Sequence, residues 1–258
     1  MKPWFALCAA VWFAATTAYP AGLQPQTAEA FDRYAKQTEQ RLDARQSFLW
    51  VDESSARAAR VRKGEIVVEP LRGSGQQAVP GGLIHDWVGT VFIPGVTLEK
   101  TIGLVQDYSH HKEYYRPEVA DSRILSHDGN DFKIYLRLVK KKVITVVLDT
   151  EHEVHYYPID ATHWRSVSRS TKVAEVAGAG KPGEHELKSG EDHGFLWALN
   201  SYWRFEERGG GTWVECEAVS LTRAVPAGLS WIVDPVIRDL PRQSLANTLQ
   251  ETRSALSK

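Results

Sequence analysis

The strongest constraint on the fold lies in the last third of the chain, residues 194–258. Two Trp-bearing segments, 195–207 and 212–223, alternate apolar and polar residues and flank Gly209, Gly210 and Gly211. Alternation at period two marks a strand with one buried face, and glycines supply the positive φ angles that tight hairpins need. Beyond them Leu245, Leu249, Thr252 and Leu256 form one stripe of an amphipathic helix. Trp231, Ile232, Val236, Ile237 and Leu240 extend the apolar character upstream. Pro235 and Pro241 remove hydrogen-bond donors, so the spacing predicts a short helical piece first and the main helix from Pro241. A hairpin closed by a long helix predicts a curved antiparallel sheet around that helix, with apolar space between the two.

Upstream, residues 27–45 carry Ala30, Phe31, Tyr34, Thr38 and Leu42 at helical spacing, with Arg41 and Arg45 late, as the helix dipole prefers. Residues 54–63 read as a second short helix stopped by Gly64, and 66–68 as a short strand. The Gly- and Pro-rich stretch 73–82 reads as a loop, and the boundary between an N-terminal helical extension, 19–82, and a main domain, 83–258, is placed there. The main domain opens with a long strand at 83–93. Helical segments follow at 96–108 and 109–115, then strands at 119–127, 132–139, 143–156 and 162–176. Residues 177–192 are polar and Gly-rich, hence a loop; together with the last helix they are candidates for a lid.

Lys2, the apolar run 4–15 and the small residues Thr16 and Ala18 compose a cleavable secretion signal over 1–18. Its apolar run falls short of the about 20 residues that span a bilayer. An exported location, periplasmic or secreted, is expected. Cys216 is then the one thiol left after cleavage, since Cys8 lies in the signal. A lone thiol in a strand reads as a small buried hydrophobe. The formal net charge is −1, with basic residues scattered, which excludes a nucleic-acid face. A monomer is expected.

The order of strand, two helices, six strands and long helix resembles the helix-grip fold of the START and birch-pollen-allergen superfamily, also called SRPBCC, with its polyketide cyclase-like proteins. The resemblance covers residues 83–257. It rests on the opening strand LIHDWVGTVFI, the helix TLEKTIGLVQDY, the pair LNSYWRFEE and TWVECEAVSLTR around the glycines, and the closing segment 226–256. It implies an α+β domain whose sheet of about seven strands wraps a long C-terminal helix. It also implies a hydrophobic small molecule or lipid held between them. Members of the superfamily include both enzymes and binding proteins.

The glycine hairpin sets a register. If Phe205 faces Val214, then Trp203 faces Cys216, Ser201 faces Ala218 and Leu199 faces Ser220, pairing large residues with small ones. On the other face Arg204 sits opposite Glu215 and Tyr202 opposite Glu217, which reads as a solvated ion pair and a tyrosine–carboxylate contact. Two readings of the first face stay open, a filled core or a cavity. The cavity reading gathers Trp87, Trp197, Ser201, Trp203, Cys216 and Ala218 from the sheet. From the closing segment it takes Trp231, Val236, Leu245 and Leu249. An inverted alternative points Tyr202, Arg204 and Glu215 inward as polar cavity groups.

No catalytic or metal constellation stands out, and no cofactor is implied. Adjacent His110 and His111 diverge on a helix and read as a solvated face. His152 and His155 lie three apart on a strand, hence on opposite faces. Glu151 and Glu153 share a face of the same strand, a spacing common on exposed strands. Lys140, Lys141 and Lys142 read as a solvated hairpin tip with a weak electrostatic hold on a membrane surface. The sequence therefore points to non-catalytic binding or transport of a hydrophobic molecule in the cell envelope, with transient membrane contact. The alternatives are a cyclase or dehydratase using polar groups of the same cavity, and an interaction module docking through its N-terminal helices.

Overall fold

The computed structural model describes residues 22–141, 144–224 and 230–258, with side chains described in all of these except 230–238. The expected signal segment 1–18, Lys142, Trp231 and Val236 therefore lie outside the described residues or side chains.

The chain opens with α1 (Pro25–Ala44), a 3-10 turn at Trp50–Glu53 and α2 (Ser55–Arg62). The Ser54 side chain accepts from the Arg57 N–H and caps α2. Strands β1 (Val67–Pro70), β2 (Gln76–Val79) and β3 (Gly82–Pro94) follow. Helices α3 (Leu98–Gln106) and α4 (His111–Tyr114) lead into β4 (Val119–Asp128), β5 (Asp131–Lys141), β6 (Thr145–Pro158) and β7 (His163–Ala177). The chain finishes with β8 (His185–Glu186), β9 (Ala198–Glu207), β10 (Gly211–Arg223) and α5 (Ser230–Leu256). The sheet runs β1-β3-β10-β9-β7-β6-β5-β4, with β2 added to β3 and β8 to β7, and its pairs are antiparallel. Its concave face holds α5. This is the helix-grip arrangement expected from the element order, with β1, β2 and β8 added to the expected seven strands.

Two expectations change. The segment 73–82 is not all loop, because β2 forms within it and pairs with β3 from Gln76↔His85 to Val79↔Gly82. The last helix is not divided at its prolines: α5 runs unbroken from Ser230 through Pro235 and Pro241 to Leu256. Proline propensity is a local preference, and neither proline ends the helix here. Leu245, Leu249 and Leu256 are buried in the concave core with Val91, Ile93 and Phe205. Helix and sheet lie close at Gly89 of β3, where an added Cβ would lie 2.8 Å from Leu249 Cδ1 and 2.9 Å from Val68 Cγ2. A side chain there would force Leu249 and Val68 to shift.

The convex face is covered too. Phe31, Tyr34 and Leu42 of α1 pack on Ile84, Val219 and Leu221. Next to them Leu49, Trp50, Val51 and Val61 pack on Val88, Phe92 and Trp213. Strand β3 is thus buried along nearly its whole length, one face under α5 and the other under the N-terminal segment.

The register from the glycine hairpin is as expected, with Val214↔Phe205, Cys216↔Trp203, Ala218↔Ser201, Ser220↔Leu199, Glu215↔Arg204 and Glu217↔Tyr202. Gly209 and Gly210 take φ of 62° and 81°, which fixes the turn. The solvated character assigned to the second face does not hold. Arg204 is 8% exposed, Glu215 and Glu217 each 1%, because α1 and the segment after it cover them. Arg45 pairs with Glu215 at 2.7 Å, and the Trp50 N–H donates to the other Glu215 oxygen. Arg41 pairs with Glu217, the Tyr34 hydroxyl donates to Asp86 at 2.7 Å, and Arg204 donates to the Leu42 carbonyl at 2.7 Å. Burial pushes Glu217 up to about 8, with the Asp86 carboxylate adding to the rise and Arg41 opposing it.

Removing one partner of a buried pair leaves an uncompensated charge, so Arg45→Ala should cost about 3–5 kcal/mol of unfolding free energy. Arg33→Ala, which removes an exposed pair with Glu29, should stay within about 0.5 kcal/mol. Urea unfolding of both variants checks the contrast. A second expectation concerns pH. A carboxyl whose folded pKa is raised binds more protons folded than unfolded. Glu217 therefore contributes stability that is full below its ordinary value of 4.5 and falls away as pH rises to about 8. Glu217→Gln should flatten the decline in thermal midpoint across that window; an unchanged slope would refute the assignment.

A candidate ligand cavity

Between the concave sheet and the helices lies a cavity of about 730 Å³. Its walls are mostly aliphatic: Ile134, Leu136 and Leu138 from β5, Leu148 and Val154 from β6, and Leu245 from α5. Trp203 and Phe205 close one side, their rings stacked at 6.0 Å between centroids with an interplanar angle of 6°. The volume lies within the range of about 300–1,000 Å³ that small-molecule sites occupy. The space exists because the register sets small residues of β10 opposite large ones of β9. Cys216 and Ala218 leave room beside Trp203 that the apolar stripe of α5 does not fill.

Of the residues gathered from sequence, Ser201, Trp203, Cys216, Ala218 and Leu245 line this cavity. Trp87 and Leu249 belong to the concave core beyond its end, Trp87 closing over Gly75 and Leu249 over Gly89. Trp197 packs on the convex side with Ala198 and donates from Nε1 to Asp192 at 2.8 Å. The side chains of Trp231 and Val236 are not described. Tyr202, Arg204 and Glu215 face the convex cover, on the far side of the sheet from the cavity, which corrects the inverted alternative. A strand alternates faces residue by residue, so a register that puts Trp203 inside puts its neighbours outside.

Several cavity residues were not anticipated. His111, expected on a solvated face, is buried between Tyr108 and Tyr115, with ring centroids 4.5 and 4.9 Å away. Its Nε2 lies 3.1 Å from the Val105 carbonyl oxygen, so that nitrogen carries the proton. His152 is buried and lines the cavity while His155 is on the outside with Asp131 at 2.6 Å, as the strand alternation requires. His85 also lines it, its Nε2 3.0 Å from Thr222 Oγ1. Burial pushes His85, His111 and His152 each down to about 4, so all three imidazoles are neutral near pH 7. His110, by contrast, is raised by its hydrogen bond to Asp107.

The tyrosines are also fixed as neutral donors. Tyr156 donates to the Val105 carbonyl at 3.1 Å and Tyr108 to the Tyr156 hydroxyl at 2.7 Å. Thr252 donates to the Thr248 carbonyl, leaving its oxygen to accept from Tyr115 at 3.2 Å. Burial pushes Tyr115 up to about 12. Burial also raises the Cys216 thiol, whose neighbours Glu217 and Glu215 add to the rise, so it is an inert apolar group. The charges are at the rim. Lys140, expected at a solvated tip, is instead half-buried beside Glu118 and lines the cavity, with Asn247 donating to Glu118 at 2.8 Å. Exposed Arg116 lies on this side, and exposed Phe195 lines the cavity from the segment before β9. Among the described residues no cluster of His, Cys, Asp and Glu is disposed to hold a metal.

No protein-family model matches the sequence, and comparison with curated proteins finds no relative. The structure is similar to three solved proteins among others. One is a STAR-related lipid transfer protein from Xanthomonas axonopodis, at 16% identity and a TM-score of 0.47, over 71% of this chain and 99% of that one. Another is the Zhui aromatase/cyclase from a Streptomyces species, at 10% identity and a TM-score of 0.48, over 67% and 94%. The third is human STARD10, at 11% identity and a TM-score of 0.44, over 77% and 79%. Each is a likeness of fold.

The cavity histidines make one direct expectation. In a pH titration followed by imidazole NMR, His85, His111 and His152 should stay neutral from pH 8 down to about 5, while His110 should protonate above its usual 6.5. A group whose folded pKa is depressed supplies stability that is full above its unfolded value and is lost as pH falls through the folded one. The three buried rings should therefore destabilise the fold between pH 6.5 and 4. Protonation of any of them near pH 6.5 would contradict their placement.

Proposed function

We propose that the protein binds a hydrophobic small molecule or lipid non-covalently and carries it in the cell envelope. The observation that supports this reading is the cavity itself: about 730 Å³, aliphatic and aromatic in its walls, with its charged side chains part-exposed. A molecule entering it exchanges water for apolar contact, worth about 25 cal/mol per Å² buried. The groups that chemistry would draw on are held in fixed, neutral states. The thiol is protonated, the tyrosines donate to protein acceptors, and Tyr202, Arg204 and Glu215 lie on the other face. Binding without turnover is therefore favoured over a cyclase or dehydratase. Carriage in the envelope rests on the secretion signal read from the sequence, and a transient contact of the cavity rim with a membrane would serve loading.

Native mass spectrometry of gently purified protein, followed by solvent extraction, tests the reading. An apolar adduct should leave with the extract. Ala218→Trp, which fills the floor beside Trp203, should abolish the adduct while the far-UV dichroism stays native. Equal ligand content in the variant, or no uptake by wild type from offered lipid, would overturn the proposal.

A further inference from the structure

One part of the cavity is polar. It forms a band across five adjacent strands, and the register places its members. His85 of β3 is paired with Ser220 of β10. Ser220 lies two residues beyond Ala218, the partner of Ser201 in β9, so Ser220 and Ser201 are diagonal neighbours on one face. Ser201 is paired directly with Ser168 of β7. Ser168 is paired with Val154 of β6, and His152 lies two residues before Val154, again a diagonal neighbour. All five side chains line the cavity. Directly opposed side chains in a sheet have Cβ atoms about 4.5–5.5 Å apart and diagonal ones about 7–8 Å. Ser201 therefore shares the reach of one functional group with Ser168 directly opposite it, and Ser220 lies one diagonal step further along the same face.

The band's hydrogen-bonding capacity is not used up by the protein. The Trp203 Nε1–H donates to Ser201 Oγ at 3.2 Å, which leaves the Ser201 hydroxyl proton to donate. Ser168 and Ser220 are 8% and 7% exposed, and neither hydroxyl bonds to another described residue. At the two ends, the Nδ1 atoms of His85 and His152 are buried without a partner among the described residues. Buried polar groups are nearly always satisfied, so such a row inside an apolar cavity is a recognition feature. The band carries no charge to meet an ionised group. The charged side chains lining the cavity, Arg116, Glu118, Lys140, Arg223 and Glu251, all lie outside it and all reach solvent in part. A carboxylate or phosphate pressed onto the serines would be a buried charge with no counter-ion, whereas a hydroxyl or ketone oxygen would be matched.

We propose that the Ser168–Ser201–Ser220 band, flanked by His85 and His152, docks an uncharged oxygen group, a hydroxyl or a carbonyl, carried on the apolar body of the ligand. The protein then selects neutral oxygenated lipids over pure hydrocarbons and over fatty acids. This rests on the reading of the cavity as a hydrophobic ligand site and narrows the class that the site takes.

Three fluorescent probes of one body test it: 1-pyrenedodecanol, 1-dodecylpyrene and 1-pyrenedodecanoate, titrated into the full chain. Wild type should bind the alcohol about tenfold more tightly than either of the others, the worth of about one buried hydrogen bond. Ser168→Ala with Ser220→Ala should erase the advantage of the alcohol over the hydrocarbon and leave hydrocarbon binding unchanged. Each single variant should lose part of it. Wild type that binds alcohol and hydrocarbon alike, or an advantage that survives the double substitution with native dichroism, overturns the band while the hydrophobic site stands. Tightest binding of the carboxylate overturns it as well. Binding of none of the three overturns the ligand-site reading and the band with it.

Discussion

Everything in this molecule is arranged around β3 being covered on both sides. A strand in an open antiparallel sheet usually keeps one face wet, and its sequence then alternates. Here Ile84, Val88 and Phe92 are buried under the N-terminal segment while Val91 and Ile93 are buried under α5. The two covers depend on each other through that strand. Gly89 lets Leu249 approach from one side, and Asp86, one residue from His85, receives the Tyr34 hydroxyl from the other. Burying both faces removes the solvated side that would otherwise hold the strand's polar residues. Asp86 therefore sits inside, and with Glu215 and Glu217 it gathers Arg41, Arg45 and Arg204 around the convex face. Such a network contributes less to net stability than its many contacts suggest, because each ion is removed from water. What it does enforce is placement: α1 and the segment after it satisfy these polar groups from one position along the strands.

The concave half of the fold was legible in the sequence, and the reasons are local. The glycine run between β9 and β10 admits few turns, so Trp203 against Cys216 follows once the loop is counted. The stripe of Leu245, Leu249 and Leu256 points one way at any helical pitch near 3.6. The convex half was legible only as elements. Arg204 opposite Glu215 has the same spelling whether water or a helix lies above it, and the alternation of a single strand names two faces without saying what covers each. The signal that was available is the run LIHDWVGTVFI, too continuously apolar for a strand wet on one side. With it, the helix at 25–44 reads as the missing cover. The prolines misled for a related reason: local propensity marks Pro241 as a start, whereas the helix runs on through it from Ser230.

The histidines show the same limit at the level of the site. His110 and His111 are adjacent and chemically identical, yet one pairs with Asp107 at the surface and the other is enclosed by two tyrosines. Helical geometry separates their directions; which of the two points inward is set by where α4 packs, a tertiary fact. His152 was placed opposite to His155 by strand periodicity alone, but that its side is the cavity side required the order of strands in the sheet.

The cavity follows from the same economy of faces. A concave sheet and a single helix cannot fill the volume between them when the floor is built from Cys216, Ala218 and serines rather than leucines. Were the space meant as core, those positions would carry aliphatic side chains, since each unfilled methyl-sized void costs about 1 kcal/mol. Hydroxyls at Ser168, Ser201 and Ser220 do not fill the void, the protein pairs only that of Ser201, through Trp203 Nε1, and two neutral imidazoles extend the row at its ends. Stability alone therefore gives no account of these five positions. An oxygen on an apolar body, entering between the strands and α5, would supply both the volume and the hydrogen bonds that the floor lacks.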